Sequence, residues 1–165
     1  MQAHVDVLRA SPEIHPAERR VLFGHSVDGL IGLLGAIDGL VFDAMVLYEP
    51  IVTVCLRTDL PGDVALLDWD RMIVAEVVRG VSTGDPAGGI SAFVTAWNEV
   101  FWSDLPSAVC TRLIASAELL SADLYAVSYH DLHIDRLSLV RMPVDCGHMG
   151  PVQMPAAIRS HVGLC

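Results

Sequence analysis

The stretch from Val21 to Tyr48 constrains the fold more than any other part of the chain. Val21-Leu22-Phe23-Gly24 is a short apolar run bounded by turn signals, as expected of a buried strand. From Val27 to Ile37 the chain is apolar on nearly every side, with Gly29, Gly32 and Gly35 at every third position. Each glycine costs a helix about 1 kcal/mol, but it lets the helix lie close against a sheet. Ala44-Met45-Val46-Leu47-Tyr48 reads as a second buried strand, ended by Glu49-Pro50. Two apolar strands joined by a buried helix make a βαβ unit, and near-continuous apolar strands belong to parallel sheets covered on both faces. The expected fold class is α/β.

The composition narrows the function classes. The chain has 165 residues, 53% hydrophobic and 18% charged, with a mean hydropathy of +0.49. That suffices for one globular domain with its own core and is too apolar for intrinsic disorder. Acidic residues outnumber basic ones 20 to 10, a formal net charge of −10. Nucleic acid is therefore a poor partner, because neutralising phosphates takes a basic face. All ten basic residues are Arg. Without Lys there is no Schiff base, no lysine-linked cofactor and no Walker A loop, and no cofactor is expected. The four cysteines, Cys55, Cys110, Cys146 and Cys165, form no CxxC pair and read as free thiols in a reducing compartment. The N-terminus lacks the basic and apolar regions of a signal peptide. The most apolar stretch, Gly29 to Leu56, is broken by Asp38, Asp43 and Glu49, so no run reaches the ~18 apolar residues of a membrane span. A cytoplasmic protein without a membrane partner is expected.

The remaining segments differ in character. Residues 2–10 read as a short helix, and Ser11 to Arg20, polar with two prolines, as a loop. Three helical patterns follow at 62–79, 90–101 and 107–129, the second set off by the loop Ser82 to Gly89. Leu137 to Val144 is the third strand candidate, followed by a turn through Asp145-Cys146-Gly147-His148 and a short helix at about 155–162. The organisation is thus a βαβ core at 1–56, a helical insertion at 57–136, and a last strand, histidine loop and helix at 137–165.

The chemistry-bearing motif is the junction Phe23-Gly24-His25-Ser26-Val27-Asp28-Gly29. A serine on a sharp turn between a buried strand and a helix has the context of a nucleophile elbow, where small flanking residues relieve crowding. The helix N-terminus also supplies N–H groups and a positive dipole end for an oxyanion. The plainer reading is that Ser26 is the N-cap of a buried helix.

At these residues the chain resembles the α/β-hydrolase family. Val21 to Ser26 is similar to the family's nucleophile strand and elbow, with His4-Val5-Asp6-Val7-Leu8 similar to the helix before it. Val46-Leu47-Tyr48-Glu49-Pro50 resembles the following strand, Phe93 to Asn98 the cap of one bacterial branch, and Leu139 to Val144 the next strand. Gly147-His148-Met149-Gly150-Pro151, followed by Pro155, resembles the loop and last helix that carry the catalytic histidine. The family pattern is G-x-S-x-G; here the fifth position is Asp28, with Gly29 one step later. Relative to the family, the early strands with the second oxyanion donor and a segment between Val144 and His148 are missing, as in a hydrolase truncated at its start and internally deleted.

The resemblance implies a reduced hydrolase-like sheet of about three strands with a helical cap. It implies Ser26 as nucleophile, His148 as general base and Val27 as the surviving oxyanion N–H, with His25 and Trp97 at substrate-binding positions. Asp145 is the best available acid, although a turn-forming Asp is the plainer reading. Glu49 should lie near the site and reads more plainly as a carboxylate at a strand boundary. Trp97, Trp102 and Phe93 read first as helical core, and as an apolar acyl pocket if they face Ser26. His130 and His133 lack a third ligand for zinc, so no metal is expected, and Cys146 with His148 sits on no elbow. The expected function is hydrolysis of a small-molecule ester or related acyl substrate. The competing expectation is a catalytically inactive relic serving as a small-ligand or protein-interaction module. Unpaired apolar sheet edges would promote self-association.

Overall fold

The computed structural model describes residues 1–14, 19–56, 58–98, 100–130, 132, 134–140 and 144–147. The chain is mixed α/β and divides into two compact units, Met1–Arg57 with Asp131–Cys165, and Thr58–His130. His148, His133 and the expected helix at 155–162 lie outside the described residues.

The first unit is built on a parallel sheet in the order β1-β2-β3, with β1 Val21–His25, β2 Ala44–Tyr48 and β3 Val144–Gly147. Helix α1 (Gln2–Ile14) precedes β1, and α2 (Val27–Ile37) connects β1 to β2. The strand–helix–strand pattern between Val21 and Tyr48 is therefore present as read. On one face, Met45 and Leu47 are fully buried along with Leu30 and Leu33 of α2. Gly32 explains how close the helix comes: a Cβ there would collide with the Leu22 side chain and lie 3.2 Å from Met45 Cε. A bulkier residue would lift α2 off the sheet.

The opposite face carries exposed side chains of β1. Residues in register share a face, so Val21, Phe23 and His25 stand beside Ala44, Val46 and Tyr48. Val21 is 56% exposed and Phe23 68% exposed. Parallel strands of this apolarity are ordinarily covered on both sides. Here the described helices of the unit cover one.

Two segments of this unit depart from the sequence reading. Helix α1 runs on through Ser11 and Pro12 to Ile14, where a loop was expected. The apolar run placed as the third strand, Leu137 to Val144, is not a strand over its length. Ile134–Leu139 is a 3-10 turn packed on α2, with Leu137 fully buried and Arg136 Nη2 3.3 Å from Asp38 Oδ1 at the end of α2. Among the described residues the strand is Val144–Gly147, which takes in Asp145, Cys146 and Gly147. A short apolar run satisfies a buried turn as well as a strand, and periodicity alone does not separate them.

The second unit is helical: α3 Pro61–Ser82, α4 Pro86–Asn98, α5 Ser107–Ala115 and α6 Ala117–Ser128. Val74, Val77, Ile90, Val94, Ala117 and Leu124 form its core. A Cβ on Gly80 would stand 2.9 Å from Gly89 Cα, so α3 and α4 meet at backbone distance. The expected loop Ser82 to Gly89 shrinks to three residues between these helices. Gly84 turns the chain at φ 81, and the Gly88 N–H donates to Asp85 Oδ1 at 3.0 Å, with Pro86 opening α4. An acidic cap followed by proline is a strong helix start. The long helix expected at 107–129 is broken at Ser116, whose hydroxyl donates to the carbonyls of Arg112 and Leu113. Among the described residues, no helix is long and apolar enough to cross a membrane.

Candidate active site

The C-terminal ends of β1 and β2 carry two non-glycine residues with positive φ, Ser26 at 54° and Glu49 at 47°. L-residues avoid this region for steric reasons, and strain of this kind collects at functional sites. Ser26 joins β1 to α2 with φ 54 and ψ −118, and its hydroxyl makes no capping hydrogen bond. An ordinary N-cap residue is extended, with its side chain bonded to the first turn. Ser26 has neither property.

The strained conformation is held from β2. The Ser26 N–H donates to the Tyr48 carbonyl at 3.0 Å, and the Ile51 N–H donates to the Ser26 carbonyl at 3.2 Å. The same carbonyl accepts from the N–H groups of Gly29 and Leu30 in the first turn of α2. With Ser26's own N–H engaged, those of Val27 and Asp28 open the helix, where no intrahelical acceptor exists for them.

Close packing explains the glycines of the motif. A Cβ on Gly24 would lie 2.8 Å from Gly29 Cα and 2.9 Å from the Asp28 carbonyl oxygen. One on Gly29 would lie 2.8 Å from Pro50 Cβ. The second small position of the turn is thus Gly29, and Asp28 is exposed. The shift of one residue from G-x-S-x-G is taken up in the first turn of the helix.

The other expected site residues are placed as follows. His25, the last residue of β1, has Nε2 3.9 Å from Glu49 Oε2 and its ring centroid 5.2 Å from that of Tyr48. Asp145 was expected in a turn after the third strand. It lies within β3, opposite Val46, two residues short of the Tyr48–Gly147 level. The sheet therefore does not bring Asp145 to the end that carries Ser26. Trp97 belongs to the helical unit, where its ring packs edge-on against Trp69 with centroids 5.0 Å apart. His130 closes that unit with Nδ1 2.6 Å from the Val127 carbonyl, and its Nε2 is buried without a hydrogen-bond partner among the described residues. The carbonyl only accepts, so Nδ1 carries the proton. Cys55 is buried, which pushes its thiol up to about 12 and leaves it inert as a nucleophile at neutral pH.

The positive φ of Glu49 was not foreseen from the sequence. Its signal was Glu-Pro at the end of an apolar strand, which marks a boundary but does not reveal a left-handed backbone. Compared with known proteins, the chain matches no family model, no curated protein and no solved structure.

Proposed function

We propose that the chain is an α/β-hydrolase-like serine hydrolase that cleaves a small ester or related acyl substrate through an acyl-enzyme on Ser26. The observation that carries the reading is the uncapped, positive-φ serine between β1 and the N-terminus of α2. Ser26 Oγ attacks the acyl carbonyl and yields its proton to an imidazole, which the resemblance gives as His148. The Val27 N–H and the dipole of α2 stabilise the oxyanion. The leaving alkoxide takes the proton, and water then hydrolyses the ester on Ser26. In this reading the unit Thr58–His130 is the helical cap, and the protein works in the cytoplasm. Hydrolysis of a short p-nitrophenyl ester tests it: the rate should fall to background in Ser26→Ala, and activity that survives this change overturns the assignment.

One observation favours the second reading, a non-catalytic interaction module. The face of the sheet opposite α2 presents Phe23 and Val21 to solvent, and exposed apolar patches commonly mark contact surfaces. The same face supports self-association of the chain.

A further inference from the structure

Hydrolysis through a serine calls for a carboxylate that orients an imidazole and offsets its charge. The register of β3 sets Asp145 two residues below the end of the sheet. Glu49 stands at the correct level. It directly follows Tyr48, which pairs with His25 and accepts the Ser26 N–H. Its φ of 47° is a conformation that costs energy for a non-glycine residue, and it is fixed between β2 and the Ile51 bond to Ser26. Its carboxylate already faces an imidazole, with Oε2 3.9 Å from His25 Nε2. Catalytic contacts in unliganded sites are commonly this long and tighten when substrate binds.

We infer that Glu49 and His25 form the carboxylate–imidazole pair that serves Ser26, with Glu49 as the positioning residue and His25 as the base. The inference rests on the serine-hydrolase reading and replaces both the acid and the base that the resemblance implies. A carboxylate beside Nε2 holds the proton on that nitrogen, and Nδ1 is left with its lone pair. As Ser26 Oγ bonds to the acyl carbon, its proton passes to Nδ1. The ring becomes an imidazolium facing Glu49. Collapse of the tetrahedral intermediate breaks the bond to the leaving oxygen, which takes the proton from the ring. The ring is neutral again and the acyl group is on Ser26. This arrangement draws on neighbouring chain positions only: residues 25, 26 and 49 lie at the same end of one pair of adjacent strands.

The test is the rate at which a fluorophosphonate probe labels Ser26 in the full chain, measured for Glu49→Gln, Glu49→Asp, His25→Asn and His148→Asn. Glu49→Gln keeps the shape and removes the charge. Circular dichroism and the melting temperature report whether each variant folds. The inference requires labelling to fall by roughly 10-fold or more in Glu49→Gln and His25→Asn. It also requires Glu49→Asp, which restores the charge, to recover most of the wild-type rate. A folded Glu49→Gln or His25→Asn that labels within about twofold of wild type overturns the pair. If His148→Asn alone abolishes labelling, His148 is the base and the serine-hydrolase reading stands without this pair. A wild-type chain that does not label at all overturns both readings.

Discussion

Asp70 on α3 is buried, and its Oδ2 accepts a hydrogen bond from the Ser128 hydroxyl at 3.0 Å. Burial raises the carboxyl above its usual range, more than the Ser128 bond and the Arg71 charge pull it down. The folded helical unit therefore binds this proton more tightly than the unfolded chain does. The stability linked to it is complete below the ordinary carboxylate range and is lost as pH rises through the raised folded value. Asp70→Asn keeps an acceptor for Ser128 and removes the penalty. Its melting temperature should exceed wild type at neutral pH and match it in strong acid; a lower value at neutral pH contradicts this. At this scale the sequence exposed Ser26 clearly, because a serine between an apolar strand and a glycine-rich helix has few other placements. It did not expose the left-handed backbone of Glu49 or the place of Asp145 within β3. Both depend on where strands begin and end in register, and part of the apolar run placed as the third strand, up to Leu139, is a 3-10 turn.

The decisive element is the junction of β1 with α2. Two glycines let the strand and the helix cross at backbone distance, and a methyl group at Gly24 has only backbone to displace. Gly24→Ala should cost about 1–3 kcal/mol of stability in urea unfolding and should abolish the elbow's reactivity. A variant that is as stable and as reactive as wild type removes the packing argument. The run from Val21 to Tyr48 was legible because every level agrees there: apolar strands, glycines at the contact face, and turn residues at each end. The helical unit was legible in outline but not at its joints. Ser116 and the Asp85-Pro86 pair set those joints through local hydrogen bonds, which a hydrophobic period does not register.

At the scale of the whole molecule, the described residues leave the apolar side chains of Val21 and Phe23 exposed on β1. Strand β1 is also an edge, and within Val21–His25 it carries none of the lysine, proline or bulge devices that discourage pairing. The wild-type chain should run as a dimer or larger species in size-exclusion chromatography with light scattering. Phe23→Lys should shift it toward the monomer mass, whereas a monodisperse wild-type monomer contradicts the assignment of this face. At the centre stands the chemical activity of Ser26. Covalent labelling by a fluorophosphonate, located by peptide mass mapping, addresses that point most directly, because an unactivated serine reacts too slowly to be marked. One modified site is expected, Ser26, with no labelling in Ser26→Ala. Label at another residue, or a wild-type chain left unmodified while a known serine hydrolase in the same tube reacts, would contradict it.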